Sequence, residues 1–342
     1  MASSGRTGPS AGTARPATSA SGASWRWRAR VRAEPRIVCL GGGTGLSTVL
    51  RGLKLAGAHP TAIVTLTDDG GSSGRLRRDL GMPPPGDVRN CLVALADDES
   101  VLAEVFQHRF DRGDLEGHSL GNLVLAALTE VAGSFEAAVA LSSHVLAISG
   151  SVLPATREKA VLVAEMEDGR VVAGETAVAS ERRAVRRLRL QPERPQPHPE
   201  SVEALRDADL VVLGPGSLFT STIPPLLVPG LGDALRASTA RRVYVANLLQ
   251  EPSETIGYDA ATHLERLERH VGRGVVDTVL VPTVRRVDAP GLIPVDFERQ
   301  PLVDSGVEVV VARITDGHHH DPLRLGRALI AQARRPRPDG RA

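Results

Sequence analysis

Short apolar runs alternate with longer stretches of helical periodicity along most of the chain. Residues 36–40 form the first apolar run, and a glycine-rich turn at 41–45 leads into helical spacing over 46–54. A second apolar run, 62–67, ends in two aspartates and two glycines. A strand, a helix and a strand of this size predict a right-handed crossover that joins two parallel strands.

The alternation continues to the C-terminus. Further strands are predicted at 209–213, 242–247, 278–281 and 308–311, and helices near 87–97, 100–109, 121–132, 134–142 and 321–333. Residues 145–180 differ, because Asp168-Gly169 separates two β-rich runs, 160–166 and 170–176. This pattern predicts an antiparallel hairpin inserted into an α/β fold with a mostly parallel sheet, followed by a proline-rich connection over 189–199.

Composition excludes several classes of protein. The 342 residues are 42% hydrophobic and carry a net charge of +1, which argues against a basic nucleic-acid binder. Two cysteines cannot form a disulfide framework or a four-cysteine zinc site. The chain has no run of 18 apolar residues, so we expect no insertion into a membrane.

The ends of the chain differ from its body. Residues 1–34 are rich in Ser, Ala, Gly, Thr and Arg, with no acidic residue before Glu34, which predicts a disordered tail. The same composition also fits an organelle transit peptide. We expect a single domain over 35–335 and a second short tail at 336–342.

Small-residue turns follow three predicted strands, at 41–45, 70–74 and 214–217. The carboxyl ends of parallel strands share one edge, where ligands bind. Glycines allow a ligand to approach the backbone, and the amides of such turns together with a helix N-terminus attract anions. The three turns predict a phosphate or diphosphate site.

The first turn lacks two common nucleotide-binding fingerprints. A dinucleotide motif needs glycine where the chain has Leu46, and a P-loop needs Gly-Lys before Ser47. An NAD-dependent oxidoreductase and a P-loop NTPase are therefore unsupported, although Asp68 or Asp69 could still contact a ribose hydroxyl.

Charged residues cluster in two predicted loops, 67–78 and 83–90. The arginines that could bind phosphate are Arg75, Arg77, Arg78 and Arg89, and the carboxylates that could hold Mg²⁺ against a diphosphate are Asp68, Asp69 and Asp87. The alternative is a charged surface loop with internal ion pairs.

Two further motifs are weaker. Residues 117–121 match the G-x-S-x-G pattern of serine hydrolases but lack the buried strand that the pattern requires before Ser119. We expect instead that Ser119 and Asn122 enter a helix facing the ligand crevice. The three histidines at 318–320 are interpreted as a loop without a metal.

Five segments together resemble the YvcK group of the CofD-like family: GGGTGLSTVLRGLK (41–54), TDDGGSSGRLR (67–77), PPGDVRN (84–90), GHSLGNL (117–123) and GPGSLFTS (214–221). The resemblance covers about residues 36–333. It implies a three-layer α/β/α sandwich with a Rossmann-like sheet.

The resemblance also implies a function. It suggests a cytoplasmic regulatory protein that binds UDP-sugars such as UDP-N-acetylglucosamine and supports cell shape and cell-wall synthesis during gluconeogenic growth. It further implies a homodimer, a partner in cell-wall synthesis or regulation, and no established cofactor. The alternative is a 2-phospho-L-lactate transferase with a nucleoside-diphosphate-activated donor, in which Asp68 or Asp69 would hold a metal or accept a proton.

The turns and the resemblance together define a set of candidate ligand-binding residues. They are Gly42, Gly43, Thr44, Gly45, Asp68, Asp69, Gly70, Ser72, Arg75, Asn122, Gly214, Gly216, Ser217 and Tyr258. Tyr258 rests on the resemblance alone, which implies that its ring stacks on uracil or sugar. Phe219 stands where the group commonly has tyrosine, so a hydroxyl contact is expected to be lost there.

Overall fold

Seven parallel strands form the main sheet of the computed structural model, which describes residues 34–97, 100–181, 184–283 and 291–338. The strands are β1 (Ile37–Gly41), β2 (Thr61–Val64), β3 (Ser151–Pro154), β7 (Leu210–Leu213), β8 (Arg241–Val245), β9 (Thr278–Pro282) and β10 (Glu308–Ala312). Their order is β10-β9-β8-β7-β1-β2-β3, and every pair is parallel.

The sheet is buried on both faces. Successive residues of β1 alternate between two apolar cores, with Val38 and Leu40 in one and Ile37 and Cys39 in the other. Helices that cover both faces explain why the central strands are continuous apolar runs rather than alternating ones. The predicted three-layer α/β/α fold is thereby confirmed.

The helices are α1 (Gly43–Leu55), α2 (Gly71–Leu80), α3 (Gly86–Leu95), α4 (Val101–Gln107), α5 (Leu120–Ala132), α6 (Phe135–Val145), α7 (Glu175–Ser180), α8 (Pro199–Asp207), α9 (Leu231–Ala237), α10 (Ala260–Val271), α11 (Arg299–Asp304) and α12 (Pro322–Ala333). A π-helical turn, Leu218–Thr222, and a 3₁₀ turn, Pro224–Leu227, follow β7. Helices α1 and α12 touch through backbone: a β-carbon on Gly52 would lie 2.0 Å from the Pro322 carbonyl oxygen. This contact brings the loop before α12 close to α1.

The predicted hairpin exists, but it belongs to a separate sheet of three antiparallel strands. Strand β4 (Val161–Met166) pairs with β5 (Val171–Ala173) and with β6 (Val185–Gln191). The sequence interpretation began the proline-rich connection at Arg189 and so missed β6. Strand β3 lies in the stretch that was interpreted as an insertion, but it forms the edge of the main sheet beside β2. So short a strand could not be predicted from the sequence, because only its pairing with a distant segment identifies it.

The prediction of a charged loop over 67–78 is wrong from residue 71 onwards, because these residues belong to helix α2. The helix begins at Gly71, and its first turn buries Ser72, Ser73 and Gly74 instead of large apolar side chains. Glycine and serine are poor helix formers, so propensity does not indicate this helix. Its small residues allow the helix N-terminus to approach neighbouring segments closely.

The C-terminal contacts extend slightly beyond the predicted domain boundary. The carbonyl oxygen of Pro336 accepts a hydrogen bond from Arg241, and Arg337 pairs with Asp277 at the start of β9. Residues 1–33 of the predicted N-terminal tail and residues 339–342 of the predicted C-terminal tail lie outside the described residues. Within the described ranges, no single helix has the length and apolar character to cross a membrane, and α5 and α6 meet that test only as a pair bent by 120°.

Candidate functional site

The first and third glycine turns meet at the switch point of the main sheet. Strand β1 lies between β2 and β7, so the chain leaves it in one direction and later returns on its other side. A β-carbon on Gly45 would lie 2.0 Å from the Pro215 carbonyl oxygen and 3.0 Å from the Gly216 α-carbon. The two turns therefore pack backbone against backbone, which only glycine at position 45 permits.

The first turn exposes the N-terminus of α1. Gly43 adopts a positive φ of 61°, and the helix has neither a side-chain cap nor an acidic residue in its first turn. The Gly43 amide donates to the Asp87 carboxylate. Thr44, which follows it, is exposed. A helix N-terminus without a capping side chain offers amide groups and a favourable dipole to an anion.

Four carboxylates gather behind this turn: Asp68, Asp69, Asp87 and Glu175. Burial and the nearby charge of Asp68 raise the pKa of Asp87 to about 7, although the Gly43 amide and Arg89 act to lower it. Burial, followed by the charge of Asp87, also raises the pKa of Glu175, which accepts a hydrogen bond from the Thr67 hydroxyl. The cluster therefore carries less negative charge near neutral pH than its four carboxylates suggest.

Asp68 and Asp69 have different surroundings. One Asp68 oxygen accepts from the Gly70 amide at 2.9 Å, and the other lies 3.0 Å from where a β-carbon on Gly86 would be. Asp69 accepts from the Thr176 amide at 2.8 Å and so binds the N-terminus of α7. Asp68 thus lies close to Asp87, whereas Asp69 binds the N-terminus of α7, the helix between β5 and β6.

The described residues include no group of three or more histidine, cysteine or acidic side chains arranged to hold a metal ion. Mg²⁺ is commonly bound by one or two carboxylates together with phosphate oxygens. A magnesium ion at Asp68 or Asp69 would therefore depend on a bound diphosphate, and this role stays a prediction.

The second turn joins a polar network between α2 and α5. The Asn122 amide donates to the Ser72 hydroxyl at 3.1 Å, which is also 3.1 Å from His118 Nδ1. Burial and the charge of Arg75 lower the pKa of His118. Ser119 is fully buried and donates to the Phe106 carbonyl, so it is not available as a nucleophile.

Two of the candidate arginines donate to backbone oxygens. Arg75 donates to the Glu116 carbonyl at 2.7 Å, and Arg77 donates to the carbonyls of Thr67 and Ala160. Arg78 lies exposed on the same helix. Arg77 therefore links the segment after β2 to the segment before β4 and does not reach the glycine turns.

Side chains that follow β8 hold the third turn. Asn247 forms a reciprocal pair with Gly216, accepting from its amide at 3.1 Å and donating to its carbonyl at 3.0 Å. Ser217 donates to Glu251 at 2.6 Å. Gly214, which opens this turn, has a φ of 68°. Asn247 and Glu251 are absent from the predicted site residues, although both follow a strand at the predicted ligand edge.

Glu254 anchors the π-helical turn behind them. Its carboxylate accepts from the Thr220 hydroxyl at 3.0 Å and from the Phe219 amide at 3.3 Å. Burial, followed by the charge of Glu251, raises the pKa of Glu254 to about 7. Glu254 is likewise absent from the predicted site residues.

A cavity of about 240 Å³ opens where the two turns meet; we call it the turn cavity. Its wall includes Thr44, Gly45, Thr48, Pro215, Gly216, Asn247, Leu248, Leu249, Glu251, His318, His319 and His320. Burial lowers the pKa of His320 to about 4, so this imidazole is neutral at pH 7. The histidine loop thus forms part of the candidate site, which its sequence did not indicate.

Tyr258 lies farther along the segment after β8. Its ring makes edge contacts with Phe219 and His263, and the Arg266 guanidinium lies 5.6 Å from the ring centroid. The hydroxyl is buried without a hydrogen-bond partner. Tyr258 does not line the turn cavity, so its stacking on a ligand stays a prediction. Phe219 is fully buried.

Comparison with known proteins places these features in a family. The sequence model of the family described as 2-phospho-L-lactate transferase CofD matches residues 37–315. The chain is 46% identical over 309 residues to the gluconeogenesis factor of Bacillus subtilis, covering 87% of this chain and 98% of that protein. It is 51% identical over 246 residues to the gluconeogenesis factor of Halalkalibacterium halodurans, covering 72% and 76% of the two chains.

A solved structure has the same fold. The crystal structure of a UPF0052-family protein from Bacillus halodurans superposes with a TM-score of 0.84 at 43% identity, covering 87% of this chain and 99% of that chain.

Proposed function

The chain belongs to the YvcK-type branch of the CofD family, and we propose that it is a cytoplasmic regulatory protein that binds a UDP-sugar such as UDP-N-acetylglucosamine. In this proposal, the bound state is relayed by a homodimer to a partner in cell-wall synthesis or regulation. The output is maintenance of cell shape during gluconeogenic growth.

One observation carries the proposal: the two glycine turns abut at the switch point, beside the N-terminus of α1, whose N-cap residue Gly42 has no side chain. A diphosphate there would meet the backbone amides of both turns, with the adjoining turn cavity available for the group attached to it. The cavity wall combines Leu248 and Leu249 with the polar side chains of Asn247 and Glu251, which suits an amphipathic ring.

Isothermal titration calorimetry with UDP-N-acetylglucosamine tests the proposal. We expect saturable binding that is lost in Thr44→Arg, because the exposed side chain at the start of α1 would fill the space above the turns. Thr239→Arg is the matched control, since Thr239 is exposed just before β8 at the opposite edge. No heat at millimolar ligand would refute the proposal.

A second candidate is a transferase, favoured by the family match and by the carboxylates beside the first turn. An acceptor hydroxyl would attack the phosphorus of the transferred phospholactyl group, forming a new P–O bond while the anhydride P–O bond to the nucleotide breaks. A nucleoside monophosphate leaves, and Asp68 or Asp69 would accept the hydroxyl proton. Incubation with a deazaflavin precursor and phospholactate joined to GMP through a diphosphate should release GMP, and the absence of GMP counts against this candidate.

A further inference from the structure

A second cavity, of about 340 Å³, lies on the other side of Thr44 and Thr48; we call it the Arg89 cavity. Its wall is formed by Thr44, Ser47, Thr48, Arg51, Arg89, Asn90, Ala94, Gln107 and Pro322. None of these residues is acidic. The two cavities share only Thr44 and Thr48, so this face of α1 separates them.

Arg89 is unusual among the arginines of the described chain. Its side chain is only 8% exposed, and its Nε has no hydrogen-bond partner. Its Nη2 donates to the neighbouring Asn90 amide oxygen at 2.6 Å, and among the described residues no carboxylate forms an ion pair with it. A buried guanidinium without such a partner is costly, and an anion would relieve that cost.

The electrostatic surroundings agree with this geometry. Burial, followed by the positive charge of Arg109, lowers the pKa of Arg89, while the charges of Asp87 and Asp68 act in the opposite direction. Burial and Arg109 therefore outweigh the compensation that Asp87 and Asp68 supply. The guanidinium fork of Arg89 matches two oxygens of a phosphate group.

The remaining wall indicates what else the ligand carries. The hydroxyls of Ser47 and Thr48 donate to the carbonyls of Gly43 and Thr44, so they present oxygen atoms that can accept hydrogen bonds. Asn90 and Gln107 add amide groups. These groups suit a small organic part that bears hydroxyls.

We propose that the Arg89 cavity is a second anion-binding site, separate from the turn cavity, and that it takes the phosphate of a small hydroxyl-bearing phosphate monoester. The site does not depend on the proposed UDP-sugar function.

The test is calorimetric titration of the full-length protein with glycerol 3-phosphate and with inorganic phosphate, against sodium chloride of equal ionic strength. We expect saturable binding of glycerol 3-phosphate, tighter than that of inorganic phosphate. No saturable binding of either compound, or tighter binding of inorganic phosphate, would overturn the proposal.

Variants test the location. Gln107→Glu places a negative charge on the exposed rim of the cavity and should weaken glycerol 3-phosphate binding at least fivefold. Gln191→Glu, an identical charge change on the exposed end of β6, should leave affinity within twofold. Equal affinities in the two variants would place the anion elsewhere. Arg89→Gln should abolish binding, with its fold checked by circular dichroism.

A competition arm separates this site from the turn cavity. Saturating UDP-N-acetylglucosamine should change the affinity for glycerol 3-phosphate by less than twofold. Complete displacement would show one continuous site and overturn the separation. If UDP-N-acetylglucosamine does not bind at all, the proposed function fails, whereas the phosphate titrations and their variants still decide this inference.

Discussion

The carboxylate of Asp87 lies directly against the backbone of Gly42: a β-carbon on Gly42 would be 2.4 Å from Asp87 Oδ2. The same carboxylate accepts a hydrogen bond from the Gly43 amide. The start of α3 therefore supports the glycine turn after β1, and the protonation state of Asp87 is coupled to the shape and charge of the candidate site.

Asp87→Asn should reduce the pH dependence of stability. Folding raises the Asp87 pKa from its ordinary 3.8 to about 7, so the folded state binds a proton between these values that the unfolded chain releases. This contribution to stability is present at low pH and is lost as pH rises towards 7. We expect Asp87→Asn to be more stable than the parent at pH 8, by up to roughly 4 kcal/mol for a shift of about three pKa units.

Urea unfolding between pH 5 and 8 measures this effect. The stability difference between the parent and Asp87→Asn should shrink steadily from pH 8 to pH 5, because Asp87 of the folded parent becomes protonated over this range. Taking the difference removes the contributions of Glu251 and Glu254, whose pKa values are also raised, but only part of that of Glu175, whose pKa the Asp87 charge helps to raise. Asp114→Asn, at an exposed loop position, serves as the control. Parallel curves for the parent and Asp87→Asn would show that Asp87 is not the titrating group.

Gly45→Ala should separate the two turns. The new methyl group would lie 2.0 Å from the Pro215 carbonyl oxygen, so one turn must move. Overpacking of this kind costs about 1–3 kcal/mol, and we expect UDP-N-acetylglucosamine affinity to fall at least tenfold. Thermal unfolding and calorimetry measure the two effects.

Gly133→Ala is the matched control for that change. Gly133 has a φ of 80° and open space around its α-carbon, so alanine costs about 1 kcal/mol of backbone strain without a steric clash. Its ligand affinity should equal that of the parent. A Gly45→Ala protein that binds normally would show that contact between the turns is not required.

Tyr258→Phe and Tyr258→Ala separate ring stacking from hydroxyl recognition. The Tyr258 hydroxyl is buried without a partner, so its removal should leave the melting temperature equal or higher. If the ring stacks on the ligand, Tyr258→Ala weakens UDP-N-acetylglucosamine binding and Tyr258→Phe does not. Tyr244→Phe, which also removes a buried hydroxyl without a partner, is the control. A loss of affinity in Tyr258→Phe would instead assign the contact to the hydroxyl.

Asp277→Ala should destabilise the protein without acting on the site. Asp277 accepts hydrogen bonds from the backbone and guanidinium of Arg242, and both side chains are about 98% buried or more. Removing one partner leaves a buried charge and costs about 3–5 kcal/mol. The control is Asp168→Ala at a surface pair with Arg170, which should cost less than about 1 kcal/mol. Chemical denaturation compares the two, and similar losses would contradict the expected effect of burial.

Local pattern predicted the elements that carry their own signals. The apolar runs of β1, β2 and β7 to β10 and the Asp-Gly turn of the hairpin depend on residues close in sequence, and the structure confirms them. The family resemblance, which rests on the same short motifs, is confirmed as well.

Elements without a local signal could not be predicted. Helix α2 begins with Gly71, Ser72 and Ser73, whose helical propensity is low, and it forms because those small residues pack against other segments. Strand β3 is only four residues long and is defined by its pairing with β2, about 90 residues earlier in the chain.

The sequence by itself determined which strands end in glycine turns, because glycine spacing and apolar runs are local properties. Only the tertiary structure decided which side chains complete the site: Asn247 reaches Gly216, Asp87 reaches Gly43, and His320 joins the cavity wall. These contacts join residues from different strand ends, and the strand order that brings those ends together comes from packing of the whole sheet.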